Sequence, residues 1–143
     1  ERPPPPQWIR HPTHLIDRAT ALDAELSTDP GAACEECLAG DFVLENFLPE
    51  QIPFGGRYEG AEGLLRYLGE IFAAIEMEPL EMDEWVADSR TVAVRGEDKG
   101  LVRSNGRKYR MRFVHWLTFD EKGRIAFMRE FNDTAALAEA FDR

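Results

Sequence analysis

The chain has few cysteines and no long apolar run. Its two cysteines, Cys34 and Cys37, enclose Glu35 and Glu36, and no further cysteine is present to complete a zinc set. Acidic neighbours oppose thiolate formation, so we interpret the cysteines as structural thiols rather than a redox pair. No apolar run approaches the roughly 18 residues that cross a bilayer. We therefore expect a soluble, cytoplasmic protein without a membrane partner.

The sequence also lacks the motifs of nucleotide-binding proteins and serine hydrolases. It has no P-loop, no GxGxxG and no nucleophile elbow. The net charge is −10, so the long-range field repels phosphate backbones. The one basic cluster falls in a predicted strand, where Arg110 and Arg112 share a face and can meet carboxylates. We therefore expect no nucleic-acid partner.

What is present is the composition of a globular domain. Of 143 residues, 43% are hydrophobic and 31% are charged, which suffices for one core without a metal or disulfide framework. Four consecutive prolines begin at Pro3 and favour extended polyproline geometry. We predict a proline-rich arm over residues 1–11 and a single domain over residues 12–143.

Apolar residues recur at helical spacing in the first half of the domain and alternate in the second half. Helices followed by an antiparallel, meandering sheet predict an α+β fold with the helices packed on one sheet face. The first helix begins at Thr13. The remaining predicted elements are a short helix over 31–39, a strand over 42–47, a helix over 61–75, strands over 80–87, 91–97, 109–119 and 124–131, and a helix over 134–141.

Three short segments of the sequence resemble those of a known superfamily. They are Ala39-Gly40-Asp41, the proline- and glycine-rich segment 53–60 that enters a helix, and the stretch 113–133 with its tight turn at 120–123. In these residues and in its element order, the chain resembles the nuclear-transport-factor-2-like superfamily, especially the SnoaL-like and ketosteroid-isomerase-like branch. The resemblance covers about Thr13 to Phe141. This fold hosts isomerases, cyclases, dehydratases, epoxide hydrolases and binding proteins, so it specifies architecture better than reaction.

The resemblance implies a cone: a curved antiparallel sheet wrapped around the N-terminal helices and enclosing an apolar pocket. It implies a small hydrophobic ligand, no metal or cofactor, and a homodimer built on the outer sheet face, where Trp116 and Val114 are candidate contacts. The residues that we expect around the ligand are Phe54, Tyr58, Tyr67, Phe72, Trp85, Phe113, Leu117, Met128 and Asn132.

His115 is the strongest single indication of chemistry. It lies in mid-strand between Phe113 and Leu117, and the two-residue period aims all three side chains at the same apolar space. The resemblance places it where ketosteroid isomerases hold a protonated carboxyl, which donates a hydrogen bond to the developing enolate. Ketosteroid isomerase is itself a standard example of pKa tuning. A neutral imidazole can donate similarly or act as a base. The alternative is a core histidine bonded to a tyrosine or a backbone carbonyl.

Glu130 shares strand parity with Met128 and Asn132, which in the resemblance face the cavity. A carboxyl beside His115 forms an acid–base pair in which each group favours the charged form of the other. The alternative is the reverse parity, with Glu130 in solvent and paired to Arg110 or Arg112.

Three functions remain open at this point. The leading hypothesis is a cofactor-independent isomerase, cyclase or dehydratase in which His115 and Glu130 move a proton on a small hydrophobic carbonyl compound. The second is a non-catalytic ligand-binding or dimerisation module. The third is a limonene-epoxide-hydrolase-like enzyme that uses Arg95 and Glu97. However, Val92 and Val94 are expected on the inward face of that strand, which favours Arg95 and Glu97 as a solvated ion pair on the outer face.

Overall fold

Four helices and seven strands make up residues 12–26 and 28–142, which are the residues that the computed structural model describes. The arm predicted over residues 1–11 lies outside them. Within the described residues, no helix is long and apolar enough to cross a membrane. The elements in chain order are α1 (Pro12–Leu26), α2 (Pro30–Cys37), β1 (Leu38–Asn46), β2 (Arg57–Glu59), α3 (Gly60–Ala74), β3 (Ile75–Met77), β4 (Glu81–Ala87), β5 (Thr91–Val102), β6 (Lys108–Phe119), β7 (Ile125–Asn132) and α4 (Thr134–Phe141).

The strands form one sheet in the order β2-β1-β7-β6-β5-β3, and β4 also pairs with β5. Strands β4 to β7 form the predicted antiparallel meander. Strand β1 instead lies parallel to β7, with Leu44 opposite Met128, so the prediction of a wholly antiparallel sheet is wrong there. A parallel pair needs a long connection, and the whole of the intervening chain supplies it. The sheet curls into a half-barrel, and the α+β architecture is as predicted.

Aspartate caps begin two of the helices where the sequence predicts them. Asp29 Oδ1 accepts a hydrogen bond of 3.1 Å from the backbone N–H of Ala32, and Pro30 follows the cap. Asp133 Oδ1 accepts one of 3.3 Å from the backbone N–H of Ala136. Helix α4 therefore has its predicted bounds.

Sheet pairing overrides local propensity at the start of β1 and at the end of β5, and the short strands β2 and β3 were not predicted. Helix α2 ends at Cys37, and Leu38 already belongs to β1, where it is buried and pairs with Ile125. Strand β5 continues to Val102, beyond the predicted end at residue 97. Glycines weaken a strand, but β6 pairs with β5 along its whole length.

The hydrophobic core lies between the curled sheet and the helices. Helix α3 buries Leu64, Tyr67 and Ile71 against it. The expectation that Phe72 lines the pocket is wrong, because its side chain is 52% exposed. Successive helical residues point about 100° apart, so a buried Ile71 turns its neighbour towards solvent. The largest fully buried side chains are Phe42, Phe119, Leu15, Leu22, Leu44, Ile125 and Leu137.

Candidate active site

An apolar cavity of about 120 Å³ is enclosed by the sheet and helices α1, α3 and α4. For comparison, an engineered cavity of roughly 150 Å³ lined by Leu, Ile and Phe holds one benzene molecule. The cavity therefore has space for about one ring. Its apolar walls include Leu22, Phe42, Leu64 and Met128, and its polar groups are Tyr67, Asp98, His115, Glu130 and Asn132.

Strand β6 places the side chain of His115 in this cavity. The residue is 8% exposed, and the ring of Phe113 stacks on its imidazole with centroids 4.3 Å apart. Neither ring nitrogen makes a hydrogen bond to another described residue. Burial lowers the pKa of His115 to about 3. The ring is therefore neutral near pH 7 and offers one N–H donor and one nitrogen acceptor to a ligand.

Glu130 lies directly opposite His115 in the pairing of β6 with β7 and is 7% exposed. Its Oε1 atom accepts a hydrogen bond from the hydroxyl of Tyr67. Its Oε2 atom lies 3.6 Å from His115 Nε2, beyond hydrogen-bond distance. Burial raises the pKa of Glu130 to about 7, although the bond from Tyr67 opposes that rise. The carboxyl can therefore gain or lose its proton near neutral pH.

Burial, rather than mutual attraction, sets the charge state of this pair. From the sequence we expected each of His115 and Glu130 to favour the charged form of the other, with a neutral imidazole as a further possibility. Burial acts in the opposite direction on both, because it lowers the pKa of the imidazole and raises the pKa of the carboxyl. The free-energy cost of moving two charges from water into an apolar cavity exceeds the gain from their attraction at 3.6 Å. At neutral pH the imidazole is uncharged.

Two glycines of β5 make room for aromatic rings of β6. Gly96 pairs with Phe113, and Gly100 pairs with Tyr109. A Cβ atom added at Gly96 would lie 2.7 Å from Phe113 Cζ, and one at Gly100 would lie 2.9 Å from the Tyr109 hydroxyl. The first ring stacks on the imidazole in the cavity, and the second donates a hydrogen bond of 2.8 Å to Asp98. The two glycines thus determine how two polar groups are positioned.

Asp98 is an ionisable group in the cavity that the sequence analysis missed. It is 9% exposed. Burial raises its pKa to about 6; the hydrogen bond from Tyr109 opposes this rise, and the charge of Glu130 adds to it. The signal was strand parity, because Asp98 shares a face with Val92 and Val102, both buried. The predicted strand stopped one residue too early to include it.

A model of the SnoaL-like domain matches residues 19–128 of the chain. The chain belongs to the SnoaL-like domain family. This match confirms the resemblance. A comparison with curated proteins gives no significant match.

Solved structures share the SnoaL-like fold of this chain. An NTF2-like protein from Burkholderia xenovorans LB400 superposes with a TM-score of 0.84 at 23% identity, covering 93% of this chain and 99% of that one. A protein from Rhodopseudomonas palustris with a provisional isomerase name gives 0.73 at 18% identity, covering 89% and 95%. A limonene-epoxide-hydrolase-like enzyme from Mycobacterium tuberculosis gives 0.68 at 18% identity, covering 91% and 90%. Identities this low show the fold alone.

The SnoaL-like cavity is lined by some of the predicted ligand contacts and not by others. Phe54, Tyr67, Met128 and Asn132 line it together with His115 and Glu130. Besides the exposed Phe72, four predicted contacts do not line it, and each has another environment. Phe113 lies behind the imidazole, Leu117 is packed in the core, the hydroxyl of Tyr58 donates to Glu70 at 2.9 Å, and Trp85 is half-buried on β4.

The outer face of the SnoaL-like sheet carries the residues of the epoxide-hydrolase hypothesis. Arg95 forms ion pairs with Asp83 at 2.9 Å and Glu84 at 3.5 Å, and its side chain is 59% exposed. Glu97 forms an ion pair with Arg110 at 2.8 Å. Neither residue lines the cavity. A hydrolase site built on Arg95 and Glu97 is therefore not formed.

Cys34 and Cys37 are free thiols, and burial raises the pKa of each. This agrees with a structural role, because a reactive cysteine needs a lowered thiol pKa. Among residues 12–26 and 28–142, no three His, Cys, Asp or Glu side chains are grouped so that they could hold a metal ion.

Proposed function

We propose that this SnoaL-like protein is a cofactor-independent enzyme that transfers a proton on a small hydrophobic carbonyl compound, in an isomerisation, cyclisation or dehydration. One observation carries the proposal: Glu130 is a buried carboxyl with its pKa raised to about 7, and it lies 3.6 Å from an imidazole that makes no hydrogen bond to any residue the structure describes. A general acid or base works best when its pKa is near the working pH. Perturbed groups in a cleft are typical of functional sites.

In the proposed reaction, the carboxylate of Glu130 takes a proton from the carbon next to the carbonyl. The C–H electron pair forms a C=C bond, and the π electrons move onto the carbonyl oxygen. The N–H of neutral His115 donates a hydrogen bond to that oxygen, where charge develops. Glu130 then returns its proton to the same or another carbon. Tyr67 remains bonded to Oε1 and leaves Oε2 for the substrate.

Exchange of carbon-bound hydrogen for deuterium tests this function without knowledge of the natural substrate. Cyclohexanone is a suitable probe because the cavity has space for about one ring. In D2O, proton NMR should show that the protein accelerates exchange next to the carbonyl. Glu130→Gln should abolish the acceleration, and His115→Ala should reduce it by about 10²- to 10⁴-fold. Glu97→Gln, on the outer face, is the matched control and should leave the rate unchanged.

Folding of each variant is checked by circular dichroism and thermal melting. If all variants accelerate exchange equally, the catalytic role is wrong.

An apolar cavity also supports the alternative of ligand binding without catalysis, because burial of apolar area alone stabilises a complex. In that case cyclohexanone raises the melting temperature of the wild type and of the double variant His115→Ala/Glu130→Gln equally. Wild-type protein then shows no accelerated exchange.

We further propose that two copies of the chain associate through the outer face of the sheet. Trp116 is 43% exposed there, and Phe131 and Phe47 are 45% and 54% exposed and stack with centroids 5.5 Å apart. Exposed aromatic patches are typical of protein interfaces. Sedimentation should give a dimer for the wild type and a monomer for Trp116→Glu. Phe72→Glu, an exposed aromatic on α3, is the control and should remain dimeric.

A further inference from the structure

The cavity has a second polar end that the proposed proton transfer does not use. Asp98 lies opposite Met111 in the pairing of β5 with β6, whereas His115 lies opposite Val94. The two positions on β5 are four residues apart, or about 13 Å of extended strand. Both side chains point into the same cavity. The charge of Glu130, which lies beside His115, also acts on Asp98 and raises its pKa, so a ligand that fills the cavity from His115 meets a second polar group.

One oxygen of the Asp98 carboxyl has no hydrogen-bond partner among residues 12–26 and 28–142. Oδ1 accepts the hydrogen bond from Tyr109 at 2.8 Å. Oδ2 makes no hydrogen bond, and no cationic side chain pairs with the group, within residues 12–26 and 28–142. An ionised carboxylate is an acceptor only and has about four acceptor positions. No fully buried side-chain oxygen or nitrogen in the described residues lacks a partner, so Oδ2 is open to the cavity and a donor there can reach it.

The position of Asp98 is constructed by the strands around it. The Tyr109 ring that holds it is 5% exposed and lies across Gly100. A Cβ atom at Gly100 would lie 2.1 Å from the carbonyl oxygen of Glu76, so the backbone of β3 closes over this part of β5. Lys99, the nearest lysine in sequence, pairs with Glu81 at 3.0 Å instead. Asp98 is therefore a held, cavity-facing acceptor rather than a solvated surface charge.

We propose that Asp98 receives a hydrogen-bond donor, in the simplest case a hydroxyl group, carried by the substrate at the end opposite its enolisable carbonyl. This inference rests on the proposed function for the carbonyl end. It specifies the substrate class as a small apolar ring or chain with a carbonyl at one end and a hydroxyl at the other. Because the pKa of Asp98 is about 6, the group is mostly a carboxylate at pH 7 and acts as an acceptor.

Calorimetric titration with three probes of nearly equal size tests the inference. They are cyclohexanone, the hydroxycyclohexanone with its hydroxyl opposite the carbonyl, and the cyclohexanedione with two opposite carbonyls. The wild type should bind the hydroxy compound about tenfold more tightly than cyclohexanone, as expected for a hydrogen bond to a charged group. Asp98→Asn retains an acceptor for Tyr109 but presents an N–H to the ligand, so its preference should change to the dione. Asp83→Asn, an exposed aspartate on β4, should behave like the wild type.

The inference is wrong if the wild type binds the hydroxy compound no more tightly than cyclohexanone, including the case in which neither binds. It is also wrong if Asp98→Asn keeps the preference for the hydroxyl.

If Asp98→Asn does not fold, a second variant, Tyr109→Phe, tests the same inference. Tyr109→Phe removes the hydrogen bond that lowers the pKa of Asp98. As the pH falls, its preference for the hydroxyl should therefore disappear at a higher pH than in the wild type, and an unchanged pH dependence contradicts the inference. These are equilibrium measurements that need no turnover. If Glu130→Gln leaves exchange intact while the Asp98 pattern holds, the proposed function fails and the hydroxyl site stands.

Discussion

Phe113 covers one face of the His115 imidazole, with ring centroids 4.3 Å apart and planes inclined by 28°. The space for that ring comes from the neighbouring strand, because Gly96 lies opposite Phe113. A Cβ atom at Gly96 would lie 2.7 Å from Phe113 Cζ and 2.2 Å from the carbonyl oxygen of Glu81. The orientation of the candidate catalytic imidazole thus depends on the neighbouring strand β5 having a glycine, without a side chain, at position 96.

Gly96→Ala should therefore reduce both stability and proton transfer. Overpacking of a well-packed interior costs about 1–3 kcal/mol, and a displaced Phe113 no longer holds the imidazole. Urea unfolding and the cyclohexanone exchange rate measure the two effects. Gly69→Ala is the control: nothing lies within 4 Å of an added Cβ on that helical glycine, so it should gain roughly 0.5–1 kcal/mol. Equal effects of the two substitutions would contradict the packing argument.

Glu130 should make the folded protein less stable as the pH rises. Its pKa is about 7 in the folded state against 4.5 for the unfolded group, so the folded protein binds the proton more tightly. This stabilising contribution is complete below pH 4.5 and is lost as the pH rises through about 7. The free energy of unfolding of the wild type, relative to Glu130→Gln, should fall by roughly 3 kcal/mol over that range.

Glu97→Gln provides a control of opposite sign. Arg110 lowers the pKa of Glu97, so the contribution of Glu97 is lost as the pH falls rather than as it rises. If the difference in the free energy of unfolding between the wild type and Glu130→Gln does not change with pH, the Glu130 carboxyl is solvated.

Tyr67→Phe should move the pH dependence of exchange to higher pH. The exchange rate of the wild type should rise through about pH 7, because Glu130 acts as a base only when ionised. The hydrogen bond from Tyr67 lowers the pKa of Glu130, so its loss raises that pKa. The profile of exchange rate against pH measures the shift. An unmoved inflection would identify a group other than Glu130 as the base.

Asn46→Ala should weaken both stability and ligand binding. The Asn46 amide donates to the carbonyl of Phe54 at 3.0 Å and accepts from the backbone N–H groups of Gly56 and Leu48 at 3.0 and 3.3 Å. Leaving buried backbone groups unsatisfied costs about 1–3 kcal/mol. Leu48 and Phe54 line the cavity, so a loosened loop also lowers the affinity for cyclohexanone.

Thermal melting and calorimetric titration of Asn46→Ala measure these losses. Thr28→Ala removes one exposed side-chain hydrogen bond, to the carbonyl of Glu25, and is the control with a much smaller effect.

Local patterns were sufficient for much of the fold. The cap at Asp133 and the apolar spacing after it predicted α4 with its observed bounds. Alternation along β6 predicted the inward direction of His115. The inward direction of Glu130 was expected from the family resemblance, with the reverse parity as the alternative, and the structure places both side chains in one cavity. The cap and the alternation depend on residues within one element, so the chain itself carries them.

Other features depend on contacts between distant segments and were not predictable from periodicity. Asp98 was missed because the glycines of β5 suggest the end of a strand, whereas pairing with β6 continues it. Tyr58 and Trp85 are aromatic, as residues that line apolar pockets often are. However, the hydroxyl of Tyr58 donates a hydrogen bond to Glu70 on α3, and Trp85 is half-buried on β4.

The sequence by itself determined the four helices and five of the seven strands in their order, the family resemblance, and the inward faces of β5 and β6, because these follow from local periodicity, caps and short motifs. Only the tertiary structure decided that β1 lies beside β7, that Asp98 joins the cavity, and that the imidazole is uncharged at neutral pH. The reason is that strand neighbours and proton affinities depend on which distant groups meet and on how completely they exclude water.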